Sequence, residues 1–130
     1  MQRVILVCVL AASAVGIQAA ESESGHELLA PYFGNTFISL HDDGTQYIVF
    51  WNADGSFWLT RRGGAQPAAG YTMHGTYTIE NGRSCFHAGD APKGAPGCVP
   101  VERDKMPGTA WDVNGRVHEI HMILPGRHAP

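Results

Sequence analysis

The sequence predicts an all-β domain, a small antiparallel barrel or strongly bent sheet of about eight strands with one disulfide. One observation is a series of turn clusters that end in glycine, at 41–44, 52–55, 80–82 and 114–115. Glycine supplies the positive φ that tight hairpin turns require. A second is the alternation along 71–79, where large apolar side chains take turns with threonine and histidine. That period is typical of a strand with one buried and one solvated face.

Eight segments between the turns are rich in β-branched and aromatic residues, which favour strands. In chain order they are 33–40, 45–51, 56–60, 71–79, 83–87, 97–101, 110–113 and 116–124. Consecutive segments that flank a short turn are expected to pair as antiparallel hairpins. Eight short strands must close into a barrel or divide into two sheets, because a flat open sheet would leave a bare edge and an uncovered face. We favour a small up-and-down barrel or a strongly bent sheet.

The chain divides into a leader, a lead-in and one domain. Residues 1–20 combine a cationic start, an apolar run and a small-residue end, the order of a secretory signal peptide. The apolar run of about 14 residues is shorter than the roughly 20 needed to span a bilayer, which disfavours a membrane anchor. Residues 21–31 are predicted to be a flexible lead-in, with a single helical turn near its end, and 32–130 a single β domain. We expect a secreted or periplasmic protein with no transmembrane segment after cleavage.

Composition and charge narrow the class of partner. The 130 residues are 44% hydrophobic and 16% charged, as in a globular domain. The net charge is −3, and no basic stripe is present that could neutralise a phosphate backbone. We therefore do not expect this protein to bind nucleic acid.

Three cysteines are present, and Cys8 lies in the predicted leader. Cys85 and Cys98 remain, and a pair in an oxidising compartment predicts a disulfide. Closing a loop of about 14 residues is worth about 3 kcal/mol in the chain-entropy account. A metal role for this pair would need two further ligands.

The segment 75–79, followed by Cys85 and Cys98, resembles a group of small secreted bacterial β-domain proteins of uncharacterised function. In that group a Gly-Thr-Trp/Tyr strand precedes two cysteines. The similarity covers roughly residues 32–124 and implies no catalytic residue. The stretch from Gly34 to Tyr77 also resembles lipocalin or avidin strands, without the tryptophan usual shortly after the first glycine.

Seven histidines make metal binding or acid–base chemistry an alternative to consider. Strand alternation sends His118 and His121 to opposite faces, whereas Glu119 and His121 share one. His74 or His87 from another strand could complete a zinc set with those two. We expect instead ordinary surface or hydrogen-bonded histidines, with no metal and no cofactor. No catalytic sequence motif is present. Evidence for an enzyme would therefore have to come from the structure, as two histidines and an acid that converge in one concave site.

Aromatic residues give the candidate ligand or partner surface. In the 45–60 hairpin, Tyr47 and Trp51 lie on the face opposite to Phe50, so rings occupy both sides. One set is expected to line a pocket or contact a partner. The candidate residues are Tyr47, Trp51, Trp58 and Trp111.

The predicted function is therefore a secreted or periplasmic, non-catalytic binding protein. Its partner is either a protein, as for an inhibitor or immunity protein, or a small apolar ligand. The alternative is a small envelope enzyme or metal-binding protein that uses His74, His87, Glu119 and His121. A third hypothesis, an envelope component with no pocket, would require a filled interior.

Overall fold

The computed structural model describes residues 25–64 and 70–128, so the predicted leader and the first residues of the lead-in lie outside the described residues. Within these described residues, one short helix, α1 (Gly25–Leu29), precedes eight strands. The strands are β1 (Thr36–His41), β2 (Gln46–Trp51), β3 (Ser56–Arg62), β4 (Tyr71–Glu80), β5 (Arg83–His87), β6 (Cys98–Pro100), β7 (Ala110–Asn114) and β8 (His118–Leu124). Each predicted segment overlaps one strand, and the all-β class is confirmed.

All eight strands form one antiparallel sheet in the order β6-β5-β4-β3-β2-β1-β8-β7. The first six strands are a meander, and the β7–β8 hairpin joins it because β8 pairs with β1. The two edges, β6 and β7, do not pair with each other, so the sheet is a half-barrel and not a closed barrel. Of the two predicted architectures, the strongly bent sheet is the one observed. The β6 edge is only three residues long and ends at Pro100, which has no N–H to offer a further strand.

The turns follow the chemistry that their residues predict. Asn81 and Gly82 both have positive φ, 53° and 73°, as a two-residue hairpin turn requires. In the two Asp-containing turns, the Asp43 carboxylate accepts a hydrogen bond from the Thr45 backbone N–H, and Asp54 accepts one from that of Ser56. The Ser56 hydroxyl also donates to Asp54 and is the main cause of the lowered pKa of that carboxyl, followed by the backbone N–H. For Asp43 the main cause of the lowered pKa is the Thr45 backbone N–H.

The main core lies on the concave face of the sheet. Register aligns one row of side chains across five strands: Met73, Leu59, Val49, Phe37 and Ile123. Four of them are buried, and Phe37 is half-buried against the others. The predicted alternation of β4 is observed, since its threonines are exposed on the convex side. A second apolar cluster, formed by Ile38, Ile48 and Phe50 with Met122 and Leu124, lies on the convex face.

The end of the predicted lead-in, where a helical turn was expected, forms α1 and packs on the domain. Leu28 and Leu29 at the end of α1 are buried in the concave core, and Tyr32 joins them. Tyr32 packs edge-on against Trp51 at 5.4 Å, and its hydroxyl donates to the Glu102 carbonyl. Burial of these apolar side chains, which local sequence polarity did not reveal, fixes this segment to the domain.

No helix among the described residues is long and apolar enough to cross a bilayer.

A connecting segment, 101–109, runs from the β6 edge to the β7 edge and crosses the concave side. Val101 is buried in the concave core, and its N–H donates to the Gly82 carbonyl. At the other end of the segment, the Gly108 N–H donates to the Ile123 carbonyl of β8, and the Ile123 N–H donates to the Thr109 carbonyl. The crossing places the Glu102 side chain over the concave face.

The predicted disulfide is confirmed. Cys85 of β5 and Cys98 of β6 are directly opposite in the antiparallel register and are bonded. The bond fixes the short edge strand β6 to the meander and closes the 88–97 loop. Its expected contribution is about 3 kcal/mol by the loop-closure account.

Candidate functional site

A cavity of about 280 Å³ opens on the concave face of the half-barrel. Most of its wall is apolar, and the side chains there include Phe37, Val49, Leu59, Phe86 and Val99. The remaining wall is polar and is provided by Ser39, His41, Tyr47, Glu119 and His121. The cavity therefore combines a hydrophobic body with one ionisable side.

The ionisable side is built by the β1–β8 pair. In that ladder His41 is directly opposite Glu119, and Ser39 is opposite His121. Residues two apart on a strand point to the same face, so all four side chains lie on the concave side. Glu102 reaches the same place from the crossing segment. We call His41, Glu102, Glu119 and His121 the histidine–glutamate cluster.

One carboxylate links the two histidines of the cluster. The His41 Nε2 lies 2.6 Å from Glu119 Oε1, and the His121 Nε2 lies 3.2 Å from Glu119 Oε2. The second carboxylate approaches the other ring nitrogen, with Glu102 Oε1 at 3.0 Å from His121 Nδ1, although that contact lacks hydrogen-bond alignment. The His121 side chain is 13% exposed and that of Glu119 is 25% exposed. These groups are thus largely withdrawn from water while still bordering the cavity.

The two carboxylates of the cluster approach opposite nitrogens of His121. A neutral imidazole has one N–H and can donate to one acceptor only. His121 faces a carboxylate oxygen at each ring nitrogen. A neutral His121 can therefore donate to only one of the two carboxylates, and the contact with hydrogen-bond geometry is that of Nε2 with Glu119.

The four residues of the predicted metal alternative do not come together. Glu119 and His121 share the concave site, but His74 and His87 lie on the convex face. His74 stacks on Trp58 with the ring centroids 5.4 Å apart. The His87 Nε2 contacts the Thr78 hydroxyl at 3.0 Å. Antiparallel register places both histidines beside the exposed threonines of β4.

His41 and Glu102 are the site residues that sequence reasoning missed. His41 belongs to a predicted turn cluster, and Glu102 follows the last residue of a predicted strand. Their approach to His121 depends on the β1–β8 register and on the path of the crossing segment. No local signal in the sequence encodes either of these.

His118 lies on the face opposite His121, as strand alternation predicts. Its Nδ1 is 2.8 Å from Asp42 Oδ1, and its Nε2 is 2.9 Å from Asp112 Oδ1. Hydrogen bonding to Asp42, and then to Asp112, raises the pKa of His118 above the ordinary histidine value. This exposed bridge joins the β1–β2 turn to the β7–β8 hairpin and is separate from the cavity.

The four predicted aromatic residues do not form one surface. Tyr47 lines the cavity. Trp51 is 2% exposed and donates its indole N–H to the Ser84 hydroxyl. Trp58 is 47% exposed on the convex face. Trp111 packs beside His121 on the concave side, where the Lys105 ammonium lies 4.7 Å from its ring centre.

Among the described residues, the group of three ligand-type side chains whose donor atoms all lie within 4.8 Å of one another is Glu80, Cys85 and Cys98. Both sulfurs are consumed in the disulfide. Metal ligation by cysteine requires the thiolate, so this group does not form a metal site.

Fold and site together define an eight-stranded antiparallel half-barrel whose concave face holds an apolar cavity with one histidine–glutamate wall. No protein family, curated protein or solved structure matches the chain. The resemblance to small secreted bacterial β-domain proteins remains a prediction.

Proposed function

We propose that this chain is a secreted or periplasmic binding protein that holds a small, largely apolar ligand in its concave cavity. The cavity of about 280 Å³ carries the proposal. Ligand sites are typically concave and mostly apolar, with a few polar groups that fix orientation. Here the histidine–glutamate cluster would orient a polar group of the ligand, while Phe37, Phe86 and Val99 would contact its apolar body. The disulfide is compatible with an oxidising compartment.

The geometry favours a small ligand over a protein partner. A protein-binding patch would be supported by several exposed aromatic residues on one surface. The candidate aromatics are instead divided between the two faces, and Trp51 is buried. A purely structural envelope component is disfavoured because an open cavity of about 280 Å³ borders the concave core.

A specific observation supports acid–base catalysis as a second candidate function. His41, Glu119 and His121 converge in one concave site, which is the arrangement that general acid–base chemistry needs. A carboxylate bonded to an imidazole can orient it and stabilise its protonated form. The substrate would occupy the same cavity, so this candidate adds a reaction to binding.

The test is a titration with N-phenyl-1-naphthylamine, a neutral apolar dye whose fluorescence rises in an apolar site. We expect saturable 1:1 binding by the purified protein. Val99→Phe should weaken it at least about tenfold because the larger ring occupies cavity space, an effect of about 1.4 kcal/mol. Val117→Phe, at a position 50% exposed, is the matched control and should bind as the parent does.

Thermal unfolding establishes that both variants are folded at the titration temperature. Absence of saturable dye binding by the parent would contradict the proposal. Equal weakening in the two variants would also contradict it, because the dye would then not occupy the cavity. Conversion of a bound compound to product, lost in His41→Gln, would favour the catalytic candidate.

A further inference from the structure

The histidine–glutamate cluster brings three side chains of metal-ligand type to one wall of the cavity, with the Glu119 carboxylate between the two imidazoles. Their donor atoms do not all lie within 4.8 Å of one another in the present arrangement. Ligand–zinc distances of about 2.0–2.2 Å in a tetrahedral site put neighbouring ligand atoms roughly 3.3 Å apart. His121 Nε2 and Glu119 Oε2 already have a separation of 3.2 Å. His41 Nε2 and Glu119 Oε1 are 2.6 Å apart and must separate by about 0.7 Å on the same geometry. Glu119 must also rotate out from between the imidazoles so that both nitrogens can reach one ion.

We propose that His41, Glu119 and His121 bind one divalent transition-metal ion, with zinc as the reference case, at the polar wall of the cavity. The expectation of no metal site rested on the divergence of His118 from His121. The β1–β8 pairing replaces His118 with His41 and so supplies the missing ligand. This proposal goes beyond ligand binding and does not depend on it.

The backbone holds the three positions in a fixed relation. His41 and Glu119 are direct cross-strand partners, and His121 is two residues farther along β8 on the same face. Both strands are interior to the sheet, since β1 also pairs with β2 and β8 also pairs with β7. The backbone therefore keeps the three positions on one face of two interior strands, and coordination requires their side chains to rotate toward a common ion.

Glu102 is placed as an outer-shell partner. A metal-bound histidine usually donates its other ring N–H to a carboxylate, which orients the ring. Glu102 Oε1 lies 3.0 Å from His121 Nδ1, and the two side chains need only be realigned for that hydrogen bond to form. With a metal ion on Nε2, the one proton of a neutral His121 would be on Nδ1, the nitrogen that Glu102 approaches.

The donor set selects the class of ion. Two imidazole nitrogens and one carboxylate oxygen suit Zn²⁺, Co²⁺, Ni²⁺ or Cu²⁺, whereas Mg²⁺ and Ca²⁺ prefer oxygen ligands. Three protein ligands leave a fourth position free. His41, Glu119 and His121 all border the cavity, so that position would face the cavity.

The experiment titrates the chelator-treated full chain with Zn²⁺ by calorimetry and with Co²⁺ by visible absorption. We expect 1:1 binding with a dissociation constant of about 10 μM or tighter, and cobalt bands typical of tetrahedral nitrogen and oxygen ligation. His41→Gln and His121→Gln should each weaken binding at least about tenfold. Glu102→Gln should weaken it by about tenfold through loss of the outer-shell partner.

The double variant His74→Gln/His87→Gln is the matched control, because it removes two histidines from the convex face only. It should bind zinc as the parent does. Dissociation constants above about 100 μM for both ions in the parent, or loss of binding in this control with retention in His41→Gln, would overturn the proposal. Cobalt spectra report loss of metal ligation in a variant, and thermal unfolding shows separately whether that variant is folded. Dye binding without zinc binding would defeat the metal proposal alone, and zinc binding without dye binding would defeat ligand binding alone.

Discussion

Removing the Ser84 hydroxyl should destabilise the fold because it leaves the buried indole N–H of Trp51 without a hydrogen-bond acceptor. Trp51 of β2 donates its indole N–H to Ser84 Oγ of β5 at 2.9 Å, across the concave face. Trp51 is 2% exposed and Ser84 is fully buried. In Ser84→Ala the indole N–H loses its partner and has no access to water. A buried polar group left unpaired costs about 1–3 kcal/mol, so we expect a loss of that size.

A double-mutant cycle isolates the free-energy cost of the unpaired indole N–H. Trp51→Phe keeps an aromatic ring in the core but deletes the N–H, and we expect it to cost about 2–3 kcal/mol, below the range for truncation to alanine. In the double variant no indole N–H is left to be unsatisfied. The combined loss should therefore fall short of the sum of the single losses by about 1–2 kcal/mol.

The measurement is urea denaturation followed by far-ultraviolet circular dichroism, with the disulfide intact. Fluorescence is unsuitable because Trp51→Phe removes one of three tryptophans. Thr72→Ala, an exposed hydroxyl deletion on the convex face, is the matched control and should be additive with Trp51→Phe to within about 0.5 kcal/mol. Additivity of Ser84→Ala with Trp51→Phe, or a loss below about 0.5 kcal/mol for Ser84→Ala alone, would refute the reasoning.

Two further predictions concern the faces of β4 and the exposed histidine bridge. Tyr77→Ala should lower the free energy of unfolding by about 3 kcal/mol, because the ring packs on the core and its hydroxyl donates to Asn52, whereas exposed Thr76→Ala should stay within about 0.5 kcal/mol. Equal losses would mean that the face assignment is wrong. The pKa of His118 is raised in the folded protein, so protonation of this side chain stabilises the fold. That stabilisation is complete below the unfolded-state pKa near 6.5 and is lost as the pH rises through the higher folded-state pKa. His118→Gln should therefore reduce the melting temperature more at pH 5.5 than at pH 9 with EDTA present, and an equal reduction at both would contradict the bridge.

The strands were predictable because their signals are local. Alternation along 71–79 and turn residues such as Asn81 and Gly82 are encoded within a few positions, and hairpin partners adjoin each other in sequence. The disulfide needed only the count of cysteines and the order of two neighbouring strands. The choice between a closed barrel and a half-barrel was not encoded locally, because it depends on whether two distant edges meet.

The lead-in shows a different limit. Leu28 and Leu29 follow a polar stretch, and a five-residue helix has little intrinsic stability in water. Its place in the fold comes from the concave core that receives these side chains, together with the Tyr32 hydroxyl bond to Glu102. Tertiary packing thus determines an element that local propensity left open.

The histidine–glutamate cluster was the least predictable feature because it lies on the β1–β8 pair, which joins the beginning of the sheet to its end. Among the described strands, every other pairing connects neighbours in sequence. The register of a non-local pair is set by packing of whole faces, and a slip of one residue would send His41 and Glu119 to opposite sides. Its closure also carries the largest loop entropy in the sheet. An ion or ligand held by His41, Glu119 and His121 would bridge these two strands and stabilise the folded state by mass action at the pairing that is entropically most costly to form.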